Sequence, residues 1–372
     1  MALSTSLIDS LEGYTRDKYE LRLDKSKITR LFTSMRPAYT EAEEYFVQKY
    51  LMCDEMVAMG MYQDGYGNCL FKIPNEDGSP SRTLWSCHTD SVHREGGVQT
   101  VHYDPLTDKF STPDGSCLGG DDNSGTYIML ELMRNNVPGL YIYHRAEEVG
   151  GVGSAWIAKN SVEMLHQYDR AIAFDRKDVH SIITHQGSKR CCSEAFSADL
   201  SEKLGMNHRS DSGGSFTDTA NYDHIIPECT NMSVGYFNAH SARETQLLDY
   251  LWKLKDAFVR IDCEALVTER DAQAPVEWSM SGYYGYGDSL IKPHKEARTA
   301  MGWSKQDDIK WRQDKKAKKE EDKKAKKEEE GITTEDLVAI IPEDDFGPKS
   351  KKSTKYDEDS PDWDDFFMQQ TD

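Results

Sequence analysis

No stretch of this chain approaches the roughly 18 consecutive apolar residues that a membrane-crossing helix needs. Its first residues, MALSTSLIDSLEGYTRDKYE, also lack the continuous apolar core of a signal peptide. Residence in a reducing, cytoplasmic compartment, away from membranes, is therefore the expectation. No CxxC pair occurs among the eight cysteines, at 53, 69, 87, 117, 191, 192, 229 and 263, which argues against a four-cysteine structural zinc site and for free thiols. Basic residues are in the minority. Lys and Arg number 45 against 65 Asp and Glu, a formal net charge of -20, and such a surface repels both nucleic acid and anionic membranes.

What the chain has is length and a recurrent pattern. Its 372 residues can bury a substantial core in one large domain or two. Residues 84–92, LWSCHTDSV, are an apolar run ending in His88-Thr89-Asp90, which reads as a buried strand delivering an imidazole and a carboxylate to its C-terminal end. Four later segments end in similar chemistry: SCLGGDDNSG at 116–125, YIYHRAEEVGG at 141–151, AIAFDRK at 171–177 and GYFNAHSARE at 235–244. Each sets Asp, Glu or His at the margin of an apolar run, where an open α/β sheet gathers a site from distant parts of a chain.

Along the chain, Thr40 and Glu43 form a capping box. Tyr45, Phe46, Tyr50, Met52 and Met56 continue an apolar helical stripe to about Met59, where Gly60 should stop it. Two short strands are expected around Gly65 and Gly67, and an irregular excursion over 93–117 suggests a rim or a small hairpin. A helix follows Asp121-Asp122, with Ser124 and Gly125 small enough to approach the sheet. Then come the strand GLYIYHRA, a helix interrupted near Asn160, the strand AIAFD, an edge strand SIITHQG and a helix over 193–205 ended by Gly205. A polar, glycine-rich segment at 208–222 precedes a last strand, MSVGYF, and a long amphipathic helix from Ser241 onward. Alternating strands and helices predict an α/β fold with an open, mixed, mainly parallel sheet flanked by helices.

His88, Asp121, Glu148, Asp175 and His240 supply three carboxylates and two imidazoles. Two closely spaced divalent ions need such a set: anionic ligands offset their mutual repulsion, imidazoles complete the coordination, and Asp121 can bridge. Glu147 stands beside Glu148, so one neighbour can bind metal while the other takes a proton from water. Singly, each residue has a duller reading, as a core histidine, a helix cap or a turn former.

The motifs HTD, LGGDDNSG, AEEVGG, AFD and AHS resemble the signatures of the co-catalytic zinc peptidases related to tripeptidase T, glutamyl aminopeptidase and the bacterial leucyl aminopeptidases. The resemblance spans about residues 40–262. It implies a zinc aminopeptidase-like fold and metal ligands at His88, Asp121, Glu148, Asp175 and His240, with Asp121 as the bridge. It further implies Asp90 as the carboxylate orienting the His88 imidazole and Glu147 as the general base. Too few positions separate Asp175 from His240 for the inserted lid domain of many relatives, so the single-domain branch is the nearer likeness. Tyr222 or Tyr236 could then serve a developing oxyanion, and Arg209, Asp211 and Asp218 could meet substrate ends or simply hold their loop. His144 is an outside candidate for an auxiliary group.

The expected activity is hydrolysis of a peptide bond near an amino terminus, with zinc the expected metal and manganese or cobalt compatible with the same ligands. An N-acyl or small-amide hydrolase and a non-catalytic interaction protein retaining the fold stay open as alternatives. The expected organisation is an N-terminal arm at 1–36, a catalytic domain at 37–268, an aromatic-containing extension at 269–310, a charged helical spacer at 311–332 and an acidic tail at 333–372. The spacer carries DKKAKKEE twice without an apolar face, and the tail reads as a tag for a protein partner.

Overall fold

The computed structural model describes residues 27–113 and 115–274. Residues 1–26 of the arm, the extension beyond 274, the charged spacer and the acidic tail lie outside the described residues. A mixed sheet forms the centre, from β1 (Tyr62–Gln63), β2 (Cys69–Ile73), β3 (Thr83–His88), β4 (Gly139–His144), β5 (Arg170–Arg176), β6 (Ser181–Ile183), β7 (Arg209–Asp211) and β8 (Glu228–Ser233). Its spatial order is β7-β6-β8-β5-β3-β4-β2-β1. The four inner strands β8, β5, β3 and β4 run parallel, while β2 and β6 flank them antiparallel. Every residue of β3, β4 and β8 is buried, as expected of strands covered on both faces.

The covering helices are α1 (Glu41–Tyr50), α2 (Asp54–Met59), α3 (Gly120–Arg134), α4 (Val152–Asn160), α5 (Glu194–Leu204) and α6 (Leu248–Arg260). Trp85 of β3 stacks on Phe174 of β5 with ring centroids 5.8 Å apart, and Phe258 of α6 meets both edge-on, at 5.7 and 4.9 Å. These rings bury large apolar areas and lock α6 to the sheet. A smaller antiparallel sheet joins Tyr236–Phe237, Thr245–Leu247, Lys109–Ser111 and His102–Asp104 in that order, so the 93–117 excursion contains a hairpin. Residues 27–32 are helical with Ile28, Leu31 and Phe32 buried, and Ser34–Met35 pairs with Gly97–Val98, so this part of the expected arm packs on the domain.

Several expectations need correction. The helix expected to run from 41 to 59 breaks between Tyr50 and Asp54. In an unbroken helix the buried Leu51 and Met56 would point about 140° apart, and the break lets both face the core. SIITHQG is no edge: β6 lies between β8 and β7, and the edge is the polar Arg209–Asp211. MSVGYF is split, with Gly235 at φ 91° releasing Tyr236–Phe237 to the small sheet. The last helix begins only at Leu248, after a loop and the strand Thr245–Leu247. By contrast, Gly60 and Gly205 end their helices in the left-handed conformation, and the helix after Gly151 breaks at Ser161.

Candidate metal centre

The parallel strands β3 and β5 pair Ser86 with Ala173, which sets His88 and Asp175 level at the C-terminal edge of the sheet. Asp121 enters from the first turn of α3, where it and Asp122 are non-helical and joined by a cis peptide bond. His88 Nε2 lies 2.9 Å from Asp121 Oδ1 and 3.8 Å from Asp175 Oδ1. On the other side, His240 Nε2 lies 3.0 Å from Asp121 Oδ2 and 3.2 Å from Glu148 Oε1. Two sets of potential metal donors result, His88/Asp121/Asp175 and Asp121/Glu148/His240, with Asp121 shared between them.

Asp90 is fully buried behind the centre. Its two carboxylate oxygens accept from the backbone N–H of Glu147 and of Glu148, each at 3.0 Å. The His88 Nδ1 is 3.4 Å from the same carboxylate and 3.0 Å from the Asp90 carbonyl oxygen. Asp90 thus fixes the loop carrying both glutamates as well as the imidazole, and only the second connection was expected from the sequence. Asp122 accepts from His88 N at 3.3 Å and from Gly125 N at 2.8 Å, tying α3 to the end of β3. Arg36, fully buried, stacks over Phe46 and donates to the Thr89 carbonyl at 2.6 Å and to Asn123. Burial pulls its guanidinium down to about 10, against the pull of Glu43, Asp122 and Asp90.

The electrostatics are those of crowded anions in a dry place. Burial and the negative Asp121 push Glu148 up to about 7 and Asp175 up to about 6. Burial also raises Glu147 well above the ordinary carboxylate range, with Asp175, Asp218 and Asp121 adding to it. Asp121 is held low: burial opposes its charge, but hydrogen bonds from His240 and His88 outweigh that. His240 is raised to about 11 by its contacts with Asp121 and Glu148.

Such a set favours cations, and divalent ions fit it. Glu148 Oε1 is buried without an aligned hydrogen-bond donor, its neighbour His240 Nε2 being directed at Asp121. A buried carboxylate oxygen without an aligned donor, beside the His240 imidazole and the shared Asp121 carboxylate, is the donor chemistry of a two-ion site. Glu147 belongs to neither donor group.

The remaining candidates divide. The Tyr236 hydroxyl is inside the centre, 3.0 Å from the Asp175 carbonyl and 3.3 Å from Asp121 Oδ2, so it is engaged by residues of the donor groups. Tyr222 is bound to His144 Nε2 at 2.7 Å, both are fully buried, and His144 belongs to neither donor group. Asp218 is buried 3.3 Å from His144 Nδ1. Asp211 accepts from Ser181, Arg176 and Gly213 within its own neighbourhood, a loop-holding role, and Arg209 is exposed on β7. Sequence reasoning missed Glu244, whose carboxylate touches the segment carrying Asp121, because the stretch after Ser241 reads as helix.

Neither a family model nor a curated relative matches the chain. Among solved structures it is similar to the aminopeptidase PepT from Bacillus cereus ATCC 10987, with a TM-score of 0.51, 14% identity, and coverage of 63% of this chain and 96% of that one. It is also similar to a tripeptidase from Staphylococcus aureus subsp. aureus Mu50, with a TM-score of 0.51, 12% identity, and coverage of 63% and 96%. The chain therefore has the aminopeptidase-like α/β fold, a mostly parallel central sheet between helices, with two clustered donor groups at its C-terminal edge.

Proposed function

We propose that this chain is a metal-dependent peptidase of the aminopeptidase or di/tripeptidase kind, acting on peptides or small amides. The observation that carries this reading is the sharing of Asp121 between two donor groups while Glu147, held by the same Asp90 carboxylate as Glu148, stands outside both. His88, Asp121 and Asp175 would hold one divalent ion, and Asp121, Glu148 and His240 the other. Zinc suits these ligands, as do manganese and cobalt. When bound, such ions supply Lewis-acid polarisation of a scissile carbonyl and of water.

The chain's own residues do the rest. Glu147 takes the proton from the attacking water and delivers it to the leaving amine. Burial raises its proton affinity above that of an ordinary carboxylate, which strengthens it as a proton acceptor. Asp90 holds that base and the neighbouring ligand at a fixed spacing through their backbone N–H groups. Intact general-base chemistry beside the donor groups speaks against a pure scaffold, which needs no proton acceptor.

The test is hydrolysis by the purified, metal-loaded chain of a panel of amino-acid amides, dipeptides, tripeptides and N-acetylated amino acids. Cleavage of the amides and free-amine peptides, lost on chelation and restored by added zinc, manganese or cobalt, is the expected result. Cleavage confined to N-acetylated substrates would make it an acylase, and inactivity of a two-ion form on the whole panel would remove the peptidase reading.

A further inference from the structure

Glu244 belongs to neither donor group, yet it is buried beside both, at 1% exposure. Its Oε2 accepts from the backbone N–H of Leu118 and of Gly119, each at 3.0 Å, and from the Cys117 thiol at 2.7 Å. Its Oε1 accepts from the N–H of Asp121 at 3.3 Å. These backbone donors lie at the start of α3, where a helix leaves its first N–H groups without internal partners. Gly120, between them, has no room for a side chain: a Cβ there would lie 2.8 Å from Tyr236 Cβ and 3.0 Å from Glu244 Oε1. The carboxylate therefore seats directly on the backbone that presents Asp121.

His240 is four residues earlier in the chain. Its loop is tight, with Asn238 and His240 at φ 54° and 62° and Glu244 N donating to Ser241 O at 3.1 Å. Two residues after Glu244, within the short strand Thr245–Leu247, Gln246 accepts from Ser124 Oγ at 2.7 Å and donates to Val234 O at 2.9 Å. Glu244 and Gln246 thus grip the beginning of α3 at two points, and the His240 loop leads directly into that grip. His88 and Asp175 sit instead on adjacent paired strands and do not depend on it.

We propose that Glu244 is a positioning residue that clamps the Asp121 segment to the His240 loop, and so sets the spacing within the Asp121/Glu148/His240 group. The proposal rests on the two-ion reading above. Loss of the clamp acts unevenly: the ion position built on His240 suffers most, and the one built on the two strands least.

The experiment uses the full chain, stripped of metal and titrated with zinc by calorimetry and with cobalt by its visible absorption. Variants are Glu244→Gln, the charge-retaining but shorter Glu244→Asp, and Glu228→Gln. Glu228 is an equally buried carboxylate that accepts from Ser193, Glu269 and Arg270 N–H groups and belongs to neither donor group. In Glu244→Gln the tighter equivalent is expected at parental affinity and the second weakened about 10- to 100-fold. Glu244→Asp should fall between and carries the comparison if the glutamine variant does not fold. Glu228→Gln should cost stability with both affinities unchanged. Parental binding of both ions in the Glu244 variants, equal weakening of both, or the same selective loss in Glu228→Gln overturns the proposal. A parent that takes up fewer than two ions overturns the reading of the site and this proposal with it.

Discussion

Glu147 and Glu148 are adjacent in sequence and anchored by the two oxygens of one carboxylate, yet their side chains meet different surroundings. Glu148 faces His240 and the shared Asp121, whereas Glu147 joins neither donor group. Glu147→Gln keeps the size and removes the proton acceptor, so turnover should fall about 100-fold or more. Its metal content, read by elemental analysis, should match the parent. Glu148→Gln should lose metal as well, since a neutral amide is a poor ligand where two dications must be offset. Near-parental turnover in Glu147→Gln, on whichever substrate the parent cleaves, would show that the base lies elsewhere. That these residues gather at the edge of the sheet was readable because they follow the end of an apolar run. The grip of Asp90 on both glutamates was not readable, because a side chain accepting from distant backbone N–H groups leaves no periodic trace in the sequence.

At the scale of elements, α3 must approach the sheet closely enough for Asp121 to reach past the end of β3. Gly125 permits this: a Cβ there would lie 2.4 Å from the Phe174 carbonyl oxygen and 2.5 Å from the Asp122 carboxylate. Gly125→Ala should therefore force α3 away from β5 and destabilise the fold by about 1–3 kcal/mol, the usual cost of overpacking. Thermal unfolding of the metal-free chain measures this directly, and an unchanged midpoint would mean that α3 can shift without strain. The need for a small residue here was legible in DDNSG. The start of α6 was not, since Ser241 to Leu247 has the composition of a helix while Glu244 and Gln246 are drawn into contacts with α3. Tertiary hydrogen bonds there outweigh local propensity. The edge strand Arg209–Asp211 was missed for the opposite reason, as a polar strand with two exposed residues shows no apolar alternation.

For the molecule as a whole, the alternation of strands and helices made the α/β class legible, and the stability of that whole toward acid depends also on groups outside the two donor groups. His208 joins three elements. It lies beside β7, its Nε2 is 2.6 Å from the Tyr250 hydroxyl on α6, and that hydroxyl donates to the Ser233 carbonyl of β8 at 2.9 Å. Because the Tyr250 proton goes to Ser233, Nε2 must be the donor to Tyr250, which leaves Nδ1 as the bare nitrogen, buried without a partner. Protonating Nδ1 would bury a charged N–H with nothing to accept it, and burial accordingly lowers His208 from 6.5 to about 4. In the unfolded chain the same imidazole takes up a proton near its ordinary value. Between these two values the unfolded state binds more protons, so His208's contribution to stability is full above about pH 6.5 and declines as pH falls toward 4. Between pH 7.5 and pH 5 this amounts to about 2 kcal/mol. His208→Gln can still donate to Tyr250 and has no proton to gain, so the difference in denaturant stability between parent and variant should shift by that amount toward the variant as pH falls. Measuring both metal-free proteins at the two pH values cancels the other titrating groups, and parallel losses in the two proteins would refute the assignment to His208.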